Sequence, residues 1–332
     1  MLNKKSYDVC LVGATGLVGQ TFLSILAEID FPIGRLKLLA SSRSAGKVIT
    51  FKGAELVVEA LTERSFDGFE LAFFSAGGEI SKKFAPLAKD AGLVVIDNSS
   101  AWREHTDIGL VVPEVNFADA TLNKIIANPN CSTIQAVIPL AALKKFGLKS
   151  VTYSTYQAVS GSGASGQQDL MRTLAGEAPS FYPHDISKTC IPEIDVFLAN
   201  GYTKEEMKMV NETRKILHLP TLAVSATCVR VPVMNGHAVS VRVELDQAFE
   251  LADVVLALTN YEGIEVVDDG VNHRYPTSML ASGSASVFVG RIRRDLSATN
   301  GLLFYCVADN IRKGAATNAV QIAQKLVAEA LI

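Results

Sequence analysis

The sequence has few cysteines and no pattern that pairs them. Its five cysteines in 332 residues are widely spaced, odd in number and include no C-x-x-C pair. This distribution argues against a disulfide framework and a zinc site, and it is typical of a reducing compartment. We therefore predict a cytoplasmic protein that holds no metal ion.

The chain also has little excess of positive or negative charge. The formal net charge is −3 at pH 7, so the chain lacks the basic field that attracts nucleic acid or an anionic membrane. Neither is expected as a partner. The hydrophobic fraction of 48% is typical of a globular chain, and the length predicts two domains or one large one.

No long hydrophobic run predicts a membrane span. The basic start Met-Leu-Asn-Lys-Lys could imitate a signal peptide, but Asp8 and three glycines interrupt the apolar segment after it. The uncharged run over residues 9–27 is rich in Gly and Thr. It therefore predicts a strand, a turn and a helix.

The first half of the chain alternates apolar strands with helical patterns. Strands are predicted at residues 7–12, 36–40, 70–74, 93–96, 110–114 and 124–127. This alternation predicts an α/β domain with a parallel sheet and right-handed crossovers.

A glycine-rich turn, G-A-T-G-L-V-G at residues 13–19, follows the first strand and opens a helix. This G-x-x-G-x-x-G spacing is a variant of the dinucleotide fingerprint of Rossmann-type domains, in which the helix start holds the phosphates. A glycine turn without a ligand is the alternative. The candidate cofactor residues here are Gly13, Thr15, Gly16, Leu17 and Val18.

The end of the second strand favours NADP over NAD. An NAD-selecting domain usually has an acid there for the ribose 2′-hydroxyl, but this segment offers Ser41, Arg43 and Ser44. A solvated turn is the alternative. Ala76 and Gly77 follow the next strand, where small residues allow a cofactor to approach the backbone.

A cysteine follows the last strand of the first half. Asn128-Pro129 breaks that strand, and Cys131 then precedes a helix predicted over residues 134–146, with Ser132 and Thr133 as N-cap candidates. A helix start lowers the pKa of a thiol and favours the thiolate. The alternative is an inert buried cysteine.

The second half predicts an α+β domain with a largely antiparallel sheet. Strands are predicted at residues 150–159, 222–233, 236–245, 285–293 and 302–308, and helices at 203–217 and 254–260. Residues 161–166 are read as a flexible ligand loop or a linker. One long helix over 310–331 is expected to cover the first domain. The predicted domains are thus 1–130, completed by helix 310–332, and 131–309.

Three further sets of residues are ambiguous by themselves. Arg103, beside the sole tryptophan, is an anion binder or a surface arginine. Glu212 and Lys215 share a helix face and suit a solvated ion pair. His237 suits a core or turn position.

Five segments together resemble the aspartate-semialdehyde dehydrogenase family over nearly the whole length. They are G-A-T-G-L-V-G at 13–19, S-S-A-W-R at 99–103, N-P-N-C-S-T at 128–133, Y-Q-A-V-S-G at 156–161 and R-V-P-V-M-N-G-H at 230–237. The resemblance implies a Rossmann-type NADP-binding domain joined to an α+β catalytic and dimerisation domain in a cytoplasmic homodimer.

The resemblance also implies roles for individual residues. It makes Cys131 the acyl-thioester nucleophile, His237 the acid/base and Gln157 a substrate contact. It assigns the substrate carboxylate to Arg230, the amino group to Glu212, and phosphate to Arg103 and Lys215. Asn130 and the N–H groups around Cys131 are candidate oxyanion donors. Further cofactor contacts fall on Ser160, Gly161 and Asn310.

The implied reaction is the reversible conversion of L-aspartate 4-semialdehyde, phosphate and NADP⁺ into 4-phospho-L-aspartate and NADPH. It serves the biosynthesis of lysine (through diaminopimelate), methionine, threonine and isoleucine. In this scheme the Cys131 thiolate attacks the aldehyde and His237 takes its proton. The rival readings are an N-acetyl-γ-glutamyl-phosphate reductase, disfavoured by Glu212, and a non-catalytic paralogue acting as a binding protein, disfavoured by the presence of Cys131 and His237.

Overall fold

A computed structural model describes residues 6–332, so the basic start at residues 1–5 lies outside the described part of the chain. The chain divides into two units. The first comprises the residues up to Pro129 together with Ala315–Ile332, and the second is Asn130–Gly314. Within residues 6–332, no helix has the length and apolar composition needed to cross a membrane.

The strands are β1 Tyr7–Val12, β2 Ile33–Ala40, β3 Val48–Phe51, β4 Ala54–Val57, β5 Glu59–Ala60, β6 Leu71–Phe74, β7 Val94–Asp97, β8 Ile125–Ala127, β9 Leu148–Gln157, β10 Ala223–Arg230, β11 His237–Leu245, β12 Ile264–Val266, β13 Val287–Arg294 and β14 Gly301–Ala308. The α-helices are α1 Leu17–Glu28, α2 Gly78–Asp90, α3 Pro113–Asn116, α4 Cys131–Leu143, α5 Gly163–Leu174, α6 Lys204–Ile216, α7 Leu251–Thr259, α8 Ser278–Ala281 and α9 Thr317–Ala328.

The first unit is built on a parallel sheet of order β5-β2-β1-β6-β7-β8. Every residue of β6 is buried, as expected for a strand covered by helices on both faces. Counted within the sheet, the order is third, second, first, fourth, fifth, sixth, which is the order of dinucleotide-binding domains. The predicted α/β fold of this half is therefore confirmed.

Two local features of the first unit differ from prediction. The apolar pattern at residues 110–114 predicts a strand, but Leu110 makes only an isolated bridge with Ala127. Pro113 then begins α3, because its fixed φ and missing N–H suit a first helical turn. The β3–β4 hairpin is an addition to the predicted strands, and its turn places Lys52 and Gly53 at positive φ.

The second unit contains a mixed sheet of order β10-β9-β11-β14-β13-β12. The three central pairs are antiparallel, and the outer pairs β10–β9 and β13–β12 are parallel. The largely antiparallel prediction is thus confirmed, with parallel pairing at both edges. In this sheet Gln157 at the end of β9 is in register with Arg230 at the end of β10, and β11 begins nearby at His237.

Two segments of the second half differ from prediction. Residues 161–166 are not a flexible loop, because a 3₁₀ turn over Val159–Ser162 leads directly into α5. The long helix predicted from residue 310 is also interrupted. Arg312–Ala316 form a π-helix, and regular α-helix begins only at Thr317.

Candidate active site

Cys131 is the first residue of α4. The N-cap is Asn130, whose Oδ1 accepts from the backbone N–H groups of Ser132 at 2.9 Å and Thr133 at 3.3 Å. The prediction that Ser132 or Thr133 caps this helix is therefore wrong. Asn130 is the cap because its short side chain reaches the unpaired backbone N–H groups two and three residues ahead. The thiol consequently lies in the first helical turn, where the helix dipole favours an anion.

The π-helix packs against the back of Cys131. A Cβ placed on Gly314 would lie 2.9 Å from the Cβ of Cys131 and 3.2 Å from its Cα. Real side chains do not approach so closely, so position 314 requires glycine for Cys131 to keep its place. π-Helical turns often occur at functional sites, and this one is in contact with the candidate nucleophile.

Gln157 and Asn130 are joined by a buried carboxylate. Glu205 Oε1 accepts from Asn130 Nδ2 at 2.8 Å and from Gln157 Nε2 at 3.0 Å. The other end of the Gln157 amide, Oε1, accepts from the hydroxyl of Thr155 at 3.0 Å. Both amide side chains, one of them on the residue that precedes Cys131, are thus held in fixed orientations.

Glu205 is also paired with a lysine. Lys208 Nζ lies 3.0 Å from Glu205 Oε2 and 2.9 Å from Asp195 Oδ2. Burial tends to raise the pKa of Glu205, but the charge of Lys208 and the hydrogen bonds from Asn130 and Gln157 outweigh it and lower that pKa. Burial likewise opposes the charge of Lys208, yet Glu205 and Asp195 raise its pKa overall. Both groups are therefore charged at neutral pH.

The structure also shows where Glu212 lies. Glu212 is not part of a solvated ion pair: it is 3% exposed, and its Oε2 accepts from the backbone N–H of Asn130 at 2.6 Å. Another Glu-x-x-Lys pair, Glu205 and Lys208, lies two helical turns earlier, and its glutamate contacts the side chains of both Gln157 and Asn130. The same spacing therefore occurs twice in α6, and the role of Glu212 and Lys215 in binding the substrate stays a prediction.

Arg230 is buried at the end of β10 and is 5% exposed. Its Nη1 donates to the carbonyl oxygen of Ala158 at 2.8 Å. Its Nε is buried and has no hydrogen-bond partner within the described chain. A buried guanidinium with an unused donor can bind an anionic group of a ligand.

His237 is fully buried beside Arg230. The backbone N–H of Ala158 donates to His237 Nδ1 at 2.9 Å, whereas Nε2 is buried without a partner among residues 6–332. Burial, together with the positive charge of Arg230, holds the pKa of His237 well below its usual value. The imidazole is therefore neutral at neutral pH.

This contact determines the tautomer of the neutral ring, and the acid/base role of His237 stays a prediction. A backbone N–H can only donate, so Nδ1 must carry a lone pair and the proton of the neutral ring must be on Nε2.

Ser160 and Asn310, two of the predicted cofactor contacts, are in direct contact. Asn310 Nδ2 lies 2.9 Å from the hydroxyl of Ser160, and Asn310 Oδ1 accepts from the backbone N–H of Gly236 at 2.9 Å. Gly161 follows Ser160, and a Cβ there would lie 2.8 Å from Arg230 Nη1 and 2.9 Å from His237 Nε2. The missing side chain leaves space in front of both groups.

The predicted cofactor residues of the first unit lie at the carboxyl ends of adjacent strands. Gly13, after β1, has a φ of +87°, and a Cβ there would lie 2.3 Å from the carbonyl oxygen of Ser75. Gly16 is the N-cap of α1 and provides no side-chain cap, so the first-turn N–H groups of Leu17 and Val18 meet no capping side chain. This suits a phosphate group. Gly77, after Ala76 and with a φ of +82°, precedes α2.

The turn after β2 lies close to this glycine turn. Ser41 precedes a 3₁₀ turn over Ser42–Ser44, which contains the exposed Arg43. The hydroxyl of Thr15 lies 3.5 Å from that of Ser44. The segment therefore places a cation and hydroxyl donors beside the candidate phosphate-binding turn, as a 2′-phosphate would require.

Arg103 is not a surface arginine. It is 9% exposed, and its Nη2 donates to the carbonyl oxygen of Asn98 at 2.8 Å. The loop that carries it is fixed by a chain of hydrogen bonds, in which Trp102 Nε1 donates to Ser81 Oγ at 2.7 Å and Ser81 donates to the carboxylate of Asp97.

Within residues 6–332, no group of three metal-ligating His, Cys, Asp or Glu side chains is found.

Comparison with known proteins first gives the class. Residues 8–123 match the family model "Semialdehyde dehydrogenase, NAD binding domain", and residues 138–313 match "Semialdehyde dehydrogenase, dimerisation domain". Because the second match alone spans more than half of the chain, the protein belongs to the class of the semialdehyde dehydrogenases.

Individual relatives then give the family. The chain is 52% identical to aspartate-semialdehyde dehydrogenase of Aquifex aeolicus, over 98% of this chain and 99% of the relative, and 47% identical to that of Bacillus subtilis, over 97% and 98%. The crystal structure of aspartate semialdehyde dehydrogenase II of Vibrio cholerae complexed with ASA is 45% identical, with a TM-score of 0.94 over 98% of this chain and 99% of that one. The Candida albicans enzyme with NADP is 26% identical, with a TM-score of 0.79 over 98% and 100%. The chain belongs to the aspartate-semialdehyde dehydrogenase family.

Proposed function

We propose that this protein catalyses the NADP-dependent, phosphate-dependent oxidation of L-aspartate 4-semialdehyde to 4-phospho-L-aspartate, and the reverse reduction. The reverse direction supplies the biosynthesis of lysine, methionine, threonine and isoleucine. The most direct structural support is the pair of buried charges around Gln157: the Arg230 guanidinium and the Glu205 carboxylate. An amino-acid substrate carries a carboxylate and an ammonium group, and these two side chains have the complementary charges.

Cys131 provides the covalent step. As a thiolate in the first turn of α4, it attacks the aldehyde carbon and later holds the acyl group as a thioester, which phosphate cleaves. NADP⁺ supplies the hydride acceptor when it is bound. Gly13, Thr15, Gly16, Leu17, Val18, Ser41, Arg43, Ser44, Ala76 and Gly77 are proposed to hold it in the first unit, and Ser160, Gly161 and Asn310 in the second.

Substrate recognition follows from the charges of the second unit. Arg230 binds the α-carboxylate, and Glu205, with Gln157 and Asn130 as neighbours, meets the α-ammonium group. We assign phosphate binding to the buried Arg103. The match of residues 138–313 to a dimerisation domain supports a homodimer, and the spacing of the cysteines supports a cytoplasmic location.

The N-acetylated glutamyl semialdehyde tests this assignment. An N-acetyl group has no positive charge, so it would leave the ionised Glu205 without a cationic partner from the substrate. We expect kcat/KM for aspartate semialdehyde to exceed that for N-acetylglutamate semialdehyde. Faster turnover of the acetylated substrate would assign the protein to the rival reaction.

A further inference from the structure

Asp309 is a buried carboxylate just after β14 to which the proposed reaction assigns no role. It is 2% exposed. Its Oδ1 accepts from the backbone N–H groups of Ile311 at 2.9 Å and Arg312 at 3.0 Å. Its Oδ2 accepts from Asn235 Nδ2 and from the backbone N–H of Gly283, both at 2.8 Å. One side chain therefore joins the π-helix, the turn before β11 and the turn after α8.

The contact with Asp309 fixes the orientation of the Asn235 amide. A carboxylate oxygen can only accept a hydrogen bond, so the amide nitrogen of Asn235 faces Asp309 and the amide oxygen faces away from it. On that side, Asn235 Oδ1 accepts from the hydroxyl of Ser160 at 3.1 Å. Ser160, one of the proposed cofactor contacts, is thus held by Asn235 as well as by Asn310.

The other oxygen of Asp309 holds the start of the π-helix that lies against Cys131. The two N–H groups that it accepts come from the residue before the π-helix and from its first residue. The backbone of Asp309 adds a further bond, because its carbonyl oxygen accepts from the N–H of Gly314 at 2.9 Å. Gly314 is the residue whose missing Cβ leaves room for Cys131. Asp309 therefore fixes the segment that contacts the candidate nucleophile.

A second buried aspartate, at the opposite end of β14, shows what a purely structural role looks like. The backbone N–H of Asp295 donates to the carbonyl oxygen of Gly301, the first residue of that strand, at 2.9 Å. Its carboxylate accepts from the N–H and hydroxyl of Ser297 at 2.9 and 2.7 Å, and from Arg242 Nε at 2.6 Å. None of these partners belongs to the proposed site, so Asp295 is a matched control for Asp309.

We propose that Asp309 is a positioning residue of the active site: its carboxylate orients Asn235 against Ser160 and holds the π-helix that lies against Cys131. This inference rests on the proposed function, which makes Ser160 a cofactor contact and Cys131 the nucleophile. Binding and reacting groups keep a productive geometry only when supporting hydrogen bonds lock them in place. Loss of the Asp309 carboxylate therefore disturbs cofactor binding and the nucleophile together.

An exchange of the two side chains tests the Asp309–Asn235 pair. In Asp309→Asn, the single amide oxygen can accept on one side only, so either the contact with the π-helix or the contact with Asn235 is lost. In Asn235→Asp, two carboxylates face each other. The double variant restores a donor and an acceptor with their roles reversed, keeps the contact with the π-helix and loses only the bond from Gly283.

The dissociation constant of NADPH, followed by its fluorescence, is the first readout. We expect each single variant to weaken binding by about 10-fold, and the double variant to bind within about 3-fold of the unaltered protein. Neutralising a carboxylate near an anionic cofactor would by itself tighten binding, so weaker binding by Asp309→Asn reports lost positioning. Asp295→Asn should bind NADPH as the unaltered protein does. A double variant no better than the weaker single variant would overturn the proposal.

Two alanine variants separate the two contacts. Asn235→Ala removes the support of Ser160 but leaves the bonds from Asp309 to the π-helix, so NADPH binding should weaken while the rate of Cys131 alkylation by iodoacetamide stays the same. Asp309→Ala removes both, and the alkylation rate should also change by about 3-fold or more. Unchanged NADPH binding in Asn235→Ala, or unchanged alkylation in Asp309→Ala, would overturn the proposal. Asn235→Ala provides this test even if the Asp309 variants do not fold.

Failure of the proposed function would give a different result. If the unaltered protein bound no NADPH, the proposed cofactor site would be refuted. The alkylation rates of Asp309→Ala, Asp295→Asn and the unaltered protein would still decide whether Asp309 positions Cys131.

Discussion

Glu205 Oε1 accepts a hydrogen bond from Gln157 Nε2 at 3.0 Å, and both side chains are buried. The same oxygen accepts from Asn130, so one carboxylate orients two amides beside Cys131. This contact ties helix α6 to the end of strand β9. It also places a negative charge beside Gln157, and we propose that this charge meets the ammonium group of the substrate.

Glu205→Gln is therefore expected to raise KM for aspartate semialdehyde by about 10- to 100-fold, since a hydrogen bond to a charged group contributes about 1.5–3 kcal/mol. Steady-state kinetics of Glu205→Gln and Glu212→Gln, measured together, provide the comparison. We expect the larger rise in KM for the Glu205→Gln variant. If Glu212→Gln gave the larger rise, the ammonium-binding role would return to Glu212.

Gly314→Ala tests the contact between the π-helix and Cys131. The added Cβ would meet the backbone of Cys131, which cannot move aside as a flexible side chain can. We expect kcat to fall by about 10- to 100-fold, the scale of a misplacement of about 1 Å, and alkylation of Cys131 by iodoacetamide to change in rate. Gly270→Ala is the matched control, because no atom lies within 4 Å of a Cβ there. Equal activity in the two variants would remove the positioning role of Gly314.

Cys131→Ser separates covalent chemistry from cofactor binding. A serine hydroxyl is a much weaker nucleophile than a thiolate at neutral pH, so nearly all turnover should be lost. Binding of NADPH, followed by its fluorescence, should be retained, because most of the proposed cofactor residues lie in the first unit. Substantial residual turnover would mean that another residue is the nucleophile.

Arg43→Ala tests the choice of cofactor. Loss of a cation opposite the 2′-phosphate should weaken NADP⁺ binding by about 10- to 100-fold and leave NAD⁺ binding nearly unchanged. Arg64→Ala, which removes an exposed arginine elsewhere in the same unit, is the control. An equal weakening of NADP⁺ and NAD⁺ binding would show that Arg43 does not contact the 2′-phosphate.

Local sequence patterns predicted the parts of this fold that depend on neighbouring residues in the chain. The strand at Tyr7–Val12 and the helix after its glycine turn follow from apolar periodicity and from the turn itself. Thr203 and Glu206 form a capping box, and the helix predicted from residue 203 begins there.

The features that could not be predicted from the sequence are those that tertiary contacts decide. The two Glu-x-x-Lys pairs of α6 have identical spacing, and only the fold brings Glu205 and not Glu212 to the Gln157 side chain. The proton position in His237 depends on the amide of Ala158, which is 79 residues away in the chain. The π-helix at Arg312–Ala316 has no periodic signal of its own, since the apolar pattern there also suits an α-helix.

If the enzyme makes an acyl phosphate from a free amino-acid semialdehyde, the formation of NADPH from L-aspartate 4-semialdehyde and NADP⁺ must depend on inorganic phosphate. With phosphate, we predict steady turnover, followed by the absorbance of NADPH. Without phosphate, we predict only the NADPH of a single thioester-forming turnover. Steady turnover that does not depend on phosphate, or none in its presence, would contradict this reaction.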